Sequence, residues 1–197
     1  MMLLPQTKLS KKPLPLNFYE RSTKKVAQEL LGQILCIKQG RKITAGYIVE
    51  TEAYLGVKDR ACHTFGGRRT ARTEPMFLSG GHVYVYFIYG MFYCLNVVTE
   101  KEDVPEAVLI RALQPLNEKL DIKIYNGPGK LCRELHIDKT FNGLTFDGVK
   151  IWIEKGVRIK ANEIISSPRI GIASSQDAAF WPLRFSIKNH PSVSKKV

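Results

Sequence analysis

The segment Ile48-Val49-Glu50-Thr51-Glu52-Ala53-Tyr54-Leu55-Gly56 sets two carboxylates and a phenol at alternate positions. In an extended strand alternate side chains share a face, so Ile48, Glu50, Glu52 and Tyr54 line one side. Such a pair of acids is either a solvated outer face or part of a site. Tyr54, and a histidine-bearing basic loop just downstream, favour a site. A carboxylate in aromatic surroundings suits general-base chemistry, because partial desolvation raises its proton affinity. Two carboxylates this close in sequence would titrate as a coupled pair if their side chains meet.

Three further segments could work with these acids. Arg60, Arg68, Arg69 and Arg72 lie between Asp59 and Glu74 with no acid among them, and His63, Gly66 and Gly67 share the loop. Guanidinium groups bind phosphate through paired donors, and glycines let the backbone approach a partner. The alternative is a basic surface loop with no partner, and His63 alone is more often structural. Residues 82–99 read as two β-rich halves around Tyr89-Gly90-Met91-Phe92. Tyr84 and Tyr86 share a face there, and Tyr89 at the turn can project beyond a sheet, as a wedge into a base stack must. Tyrosine-rich strands more commonly just pack cores. Gly127-Pro128-Gly129-Lys130 lacks the spacing of an NTPase phosphate loop, yet a helix start with Lys130 can hold a phosphate.

The elements that must position these groups follow from periodicity and punctuation. A helix is expected over residues 22–31, started by a hydroxyl cap and stopped by Gly32. Strands are expected at 33–38 and 43–54, then a long Arg- and Gly-rich loop, the tyrosine hairpin, and a strand at 106–113. A short helix follows at 126–135, then strands at 149–154 and 183–187. Strands outnumber helices and no βαβ alternation appears. The expected fold class is α+β, a single domain built on a curved, mostly antiparallel sheet with flanking helices. Residues 1–17 read as a flexible arm and 18–197 as the domain.

The chain has 197 residues and a formal net charge of +12, which points to a polyanionic partner, either nucleic acid or an acidic membrane. Residues 75–99 contain no Asp, Glu, Lys or Arg. Their glycines and evenly spread tyrosines argue for a buried hairpin rather than a membrane span. Cys36, Cys62, Cys94 and Cys132 are too scattered for a zinc motif and read as buried thiols in a reducing compartment. The N-terminal residues lack a signal-peptide core, so a cytoplasmic location is expected.

Taken in order, these segments resemble the alkyladenine (3-methyladenine) DNA glycosylase family. The likeness runs through Leu31-Gly32, the 49–56 segment, His63 with Gly66-Gly67-Arg68, and Met76-Phe77. It continues through Tyr84-Val85-Tyr86-Phe87-Ile88-Tyr89-Gly90-Met91, Cys94-Leu95-Asn96 and Arg111-Ala112-Leu113. Gly127-Pro128, Lys130-Leu131-Cys132 and Pro182-Leu183-Arg184-Phe185 complete it. The resemblance implies Glu52 as the base activating a water, with Arg111 helping to hold both. It implies Tyr54, His63, Tyr86 and Asn96 around a flipped base, with Asn96 excluding normal guanine. Tyr89 would enter the duplex, Met91 the minor groove, and Arg68, Arg69, Arg72 and Lys130 are assigned to the DNA backbone.

The implied activity is monofunctional hydrolysis of alkylated or deaminated purines from duplex DNA, the 3-methyladenine, 7-methylguanine, hypoxanthine and ethenoadenine class. It needs no cofactor, metal, membrane or obligate protein partner. The location is then bacterial cytoplasm, with use at the nucleoid, or a nucleus. Val97-Val98 after Asn96 and a short 115–126 segment depart from the family pattern. One rival is a non-catalytic basic nucleic-acid-binding domain, which has no use for Glu52. Another is a glycoside hydrolase using Glu50 and Glu52, a poor placement for acids that must flank a bond.

Overall fold

The computed structural model describes residues 3–196. It is an α+β domain in which eight strands form one sheet and every strand pairing is antiparallel. The strands are β1 (Ile34–Gln39), β2 (Lys42–Tyr54), β3 (Val83–Ile88), β4 (Phe92–Thr99), β5 (Glu106–Pro115), β6 (Ile151–Glu154), β7 (Ile164–Ser167) and β8 (Arg184–Ile187). The helices are α1 (Thr23–Glu29) and α2 (Pro128–Glu134). The main path runs β3-β4-β5-β2-β1-β6, with β8 joining β2 to β7.

β2 is the spine. Its first half pairs with β1, its second half with β8, and β5 runs along its other edge. The residues from Gly46 to Ala53 are all buried, so the solvated-face alternative for Glu50 and Glu52 is excluded. In the β2–β5 pairing, Val49 on β2 and Arg111 on β5 have no register partner. Paired bulges of this kind bend the strands and re-aim a side chain. Here the re-aimed side chain is Arg111.

The two ends of the main path, β3 and β6, are covered. Segment 142–146 covers β3, with Asn142 Oδ1 accepting from Val85 N (2.9 Å) and Val83 N donating to Leu144 O (2.7 Å). The segment read as a loose arm crosses β6, where Leu14 N donates to Ile153 O (2.7 Å). The Glu154 carboxylate takes Ser10 N and Lys11 N (2.8 Å each). Leu4 is buried and exchanges two backbone hydrogen bonds of 2.8 Å with the Gln114 amide. Unpaired strand edges invite aggregation, and these covers remove them.

Several local expectations differ in detail. Ser22 is the N-cap residue of α1, but its side chain makes no capping bond. The Thr23 hydroxyl instead meets Thr99 Oγ1 (2.7 Å) and Glu106 Oε2 (2.6 Å), tying α1 to β4 and β5. The Arg-rich loop carries three 3-10 turns rather than being structureless. β7 was not expected. The 75–99 hairpin is buried only at its base, since Phe87, Tyr89 and Met91 at its end are exposed. The four cysteines are buried, free thiols. Among the described residues no helix is long and apolar enough to cross a membrane.

Gly32 ends α1 at φ +82°, and a Cβ there would run into the Val157 carbonyl oxygen. Gly32→Ala is expected to lower stability by about 1–3 kcal/mol, the cost of a strained left-handed residue. The check is a lower urea midpoint with an unchanged m-value.

Candidate active site

Four charged side chains meet beneath the centre of the sheet: Glu50 and Glu52 from β2, Arg111 from β5 and Arg184 from β8, all buried. Thr51 between the acids turns the other way and donates to Ala27 O in α1 (2.8 Å). Arg111 spans both carboxylates, with Nε 3.0 Å from Glu50 Oε1 and Nη1 3.2 Å from Glu52 Oε1. The expected shared face is therefore observed. It does not put the acids on opposite sides of any bond.

The two glutamates differ in how fully they are used. Glu50 Oε1 accepts from Arg111 Nε, Arg184 Nη1 (3.0 Å) and Ser194 Oγ (2.9 Å), and its Oε2 accepts from Ser194 N (2.6 Å). A carboxylate offers about four acceptor positions, so Glu50 is saturated. Glu52 Oε1 accepts from Ile170 N (2.8 Å) and its Oε2 from the Tyr54 hydroxyl (2.9 Å), while Arg111 meets Oε1 as an ion pair rather than a hydrogen bond. Two positions on Glu52 remain.

Burial pushes the Glu52 pKa above the usual carboxylate value. Arg111, the Ile170 N–H and the Tyr54 hydroxyl oppose that rise, and the neighbouring Glu50 charge adds to it. Burial likewise holds the Tyr54 phenol well above its ordinary range, so it stays a donor. For Arg111 burial works against the charge, but the two carboxylates outweigh it and keep the guanidinium protonated.

A cavity of about 400 Å³ opens in front of this network, lined by Tyr54, Arg111 and Ile170, all three partners of Glu52. Tyr84 and Tyr86 from β3, His63 from the Arg-rich loop and Asn96 from β4 form further walls. The His63 and Tyr86 rings meet edge to face at 4.6 Å, and His63 Nδ1 lies 2.8 Å from the Tyr84 hydroxyl. Burial, with Arg72 and Arg68 adding to it, pushes the His63 pKa down to about 4, so the ring is neutral near pH 7. Asn96 is fixed by Nδ2 donating to Tyr84 O (3.1 Å).

The hairpin end rises beside the mouth of this cavity. Met91 N donates to Ile88 O (3.2 Å), closing a tight turn with Tyr89 at φ 54° and Gly90 at φ 66°. A left-handed tyrosine is strained, and here the turn leaves its ring 73% exposed and Met91 66% exposed.

A family model described as methylpurine-DNA glycosylase matches residues 17–191. The chain belongs to this family. It is 46% identical over 196 residues to a protein of Bdellovibrio bacteriovorus named as a candidate 3-methyladenine DNA glycosylase, a match covering 93% of this chain and 99% of that one. Relatives with the same name occur in Bacillus cytotoxicus (44% identity; 92% and 98% covered) and Clostridium novyi (43%; 94% and 100%).

In this glycosylase the basic residues assigned to the DNA backbone are not equally free. Arg68 and Arg72 are exposed, and Arg72 lies over the Tyr86 ring at 5.5 Å. Arg69 is bound to Glu74 (2.7 Å) and Asp103 (2.8 Å), so a phosphate there would compete with two acids. Lys130 Nζ donates to Lys123 O (3.1 Å) and Asn126 Oδ1 (3.0 Å), holding its own loop.

The sequence reading missed the segment after β7. Its Ile170, Gly171, Ile172, Ser174 and Ser175 line the cavity, and Ile170 N–H holds Glu52. A backbone donor leaves no mark in residue type, since any residue but proline supplies it. It also missed Ser194, whose hydroxyl and N–H both serve Glu50.

The asymmetry between the glutamates predicts opposite stability effects. Glu50→Ala strands the buried Arg184 guanidinium, takes one of two acids from Arg111, and is expected to cost about 3–5 kcal/mol. For Glu52 the folded pKa lies above the unfolded one, so its contribution to stability is complete at low pH and is lost as pH rises through the folded value. Near neutrality its charge is a cost. Glu52→Gln is therefore expected to be at least as stable as wild type at pH 7, as measured by urea denaturation.

Proposed function

We propose that this protein hydrolyses the N-glycosidic bond of alkylated or deaminated purines rotated out of duplex DNA, with Glu52 activating the attacking water. The observation that carries this reading is the unsaturated Glu52 carboxylate, with an open acceptor position, directly behind an aromatic cavity sized for a small ligand. Water bound at that position gives its proton to the carboxylate as its oxygen attacks C1′. The C1′–N bond breaks, its electron pair leaves with the purine, and an abasic sugar remains. A raised carboxylate pKa strengthens the base, and Arg111 keeps it ionised before the reaction.

Tyr54, His63 and Tyr86 form the walls of the base site, and Asn96 rejects the 2-amino group of normal guanine. Aromatic walls attract the positive charge of an N3- or N7-alkylated purine, and that charge also makes the base a good leaving group. Tyr89 fills the gap left in the stack, which offsets part of the few kcal/mol that flipping costs. Met91 follows in the minor groove, and Arg68 and Arg72 serve the backbone directly, whereas Arg69 and Lys130 reach phosphate only by giving up their protein partners. No lysine lines the cavity among the described residues, in keeping with a water-dependent, monofunctional route.

The test uses duplexes carrying 7-methylguanine, hypoxanthine or ethenoadenine, followed by alkali. Wild type is expected to cleave at least one, and Glu52→Gln to lose about 100-fold or more in excision rate. Full activity in Glu52→Gln removes the assigned base, and a borohydride-trapped adduct overturns the monofunctional route. The rate should fall on acidification through a value above the ordinary glutamate pKa, because Glu52 must be ionised. His63 stays neutral down to about pH 4 and does not limit that side.

Tyr89→Ala is expected to leave the urea midpoint unchanged or higher, since it relaxes no buried contact, while weakening lesion-duplex binding about tenfold, within the range of aromatic stacking on bases. Undiminished binding and excision would remove the wedge.

A further inference from the structure

A second buried ion pair lies close to Glu52, and the reaction as derived makes no use of it. Asp59, in the loop after β2, and Arg169, just after β7, both have fully buried side chains. Arg169 Nη2 donates to Asp59 Oδ1 (2.8 Å) and Nη1 donates to Oδ2. The same two nitrogens reach Ala53 O (2.9 Å) and Ala178 O (3.2 Å). Asp59 also accepts from Leu55 N and Ala61 N (3.0 Å each). The pair thus gathers the end of β2, the start of the Arg-rich loop and the segment behind the cavity into one knot.

Two neighbours of that knot touch Glu52. Ile170, next in the chain to Arg169, donates its N–H to Glu52 Oε1 (2.8 Å). The Arg169 guanidinium lies 4.7 Å from the centre of the Tyr54 ring, whose hydroxyl donates to Glu52 Oε2 (2.9 Å). Arg169 itself does not line the cavity. A buried ion pair is a weak source of net stability and is more often kept for the geometry it imposes.

We propose that Asp59 and Arg169 are positioning residues for Glu52. They fix the Ile170 N–H on one carboxylate oxygen and the Tyr54 hydroxyl on the other, and so set the orientation and proton affinity of the base. The inference rests on Glu52 being that base. The other groups facing Glu52 are Arg111 from β5, Glu50 from its own strand, Tyr86 from β3 and Cys94 from β4. None of these is bonded to Asp59 or Arg169, and the Arg169 charge also acts on Glu52 through space; Arg169→Lys preserves that charge, so its effect on Glu52 runs through Ile170 and Tyr54.

Two variants test this. Arg169→Lys keeps the charge opposite Asp59 but loses the fork to Ala53 and Ala178 and the flat stack on Tyr54. The double variant Asp59→Asn with Arg169→Gln removes both charges and leaves no single ion stranded. Single-turnover excision from a 7-methylguanine duplex is measured against pH, with duplex affinity measured separately. Both variants are expected to lose about tenfold or more in rate at pH 7, with the acid limb moved up by about one pH unit, as loss of a charge-assisted hydrogen bond requires. Affinity should stay within about threefold. A folded variant with the wild-type profile overturns the proposal, and so does a slower one whose acid limb has not moved.

The wild-type protein supplies a check that does not depend on variants folding. The Ile170 amide resonance in a 15N-labelled sample must titrate with the same midpoint as excision. An Ile170 amide indifferent to that pH range overturns the proposal. Full activity in Glu52→Gln instead strikes the assignment of the base, so the two failures are distinguishable.

Discussion

One guanidinium holding two carboxylates on the central strand is the contact on which the rest depends. Arg111 is out of register on β5, and that displacement lets a single side chain reach Glu50 and Glu52 together. Arg184 brings a second positive charge to Glu50, so the buried cluster holds two acids and two bases. An unpaired ion at this depth would be expensive, and the two arginines offset most of that cost for Glu50 and part of it for Glu52. Within that balance the roles divide. Glu50 spends every acceptor position on holding Arg111, Arg184 and Ser194 in place, which leaves Glu52 the carboxylate whose surroundings can be tuned. The sheet order follows the same need: β2 must run between β5 and β8 for both arginines to reach it.

Around this rigid centre the exposed parts are arranged by how much they must move or meet. The cavity walls come from strands and from a loop pinned by buried Asp59, so the base-sized space is fixed before any ligand enters. The hairpin end is the opposite case. Tyr89 takes a left-handed backbone conformation and hides little of its ring, an arrangement that gains nothing in the free protein. Gly129 at the start of α2 lies against the Phe92 ring so closely that a Cβ would displace it, which gives the turn a firm base at the start of β4. A mobile probe would lose more entropy on ordering, so the firm base and the presented tip belong together.

Much of this was legible in the sequence, and for identifiable reasons. Alternation along 48–54 correctly placed Glu50, Glu52 and Tyr54 on one face, because a strand's period is two and β2 is long. Gly32 and Pro128 marked helix ends through backbone constraints that only those residues impose. The less legible features are those where residue type is silent. Ile170 acts through its amide, Ser194 reaches Glu50 from 144 residues away, and Arg69 is held by Asp103 from another segment as well as by Glu74 at the end of its own loop. Which of two glutamates two residues apart would be saturated is a question of count. Nothing local answers it.

The net charge of +12 takes on a different meaning beside these contacts. Arg111, Arg169 and Arg184 are buried and already matched by Glu50, Glu52 and Asp59, so they add nothing to the outer field. Arg69 is matched as well, by Glu74 and Asp103. The excess therefore resides in the remaining surface Lys and Arg, among which Arg68 and Arg72 stand near the cavity and add to the burial that keeps His63 neutral. A positive field at the mouth draws in a polyanion while discouraging an imidazolium inside. The same two side chains thus act on approach to the cavity and on the protonation state within it, and these effects cannot be tuned separately by substituting either one.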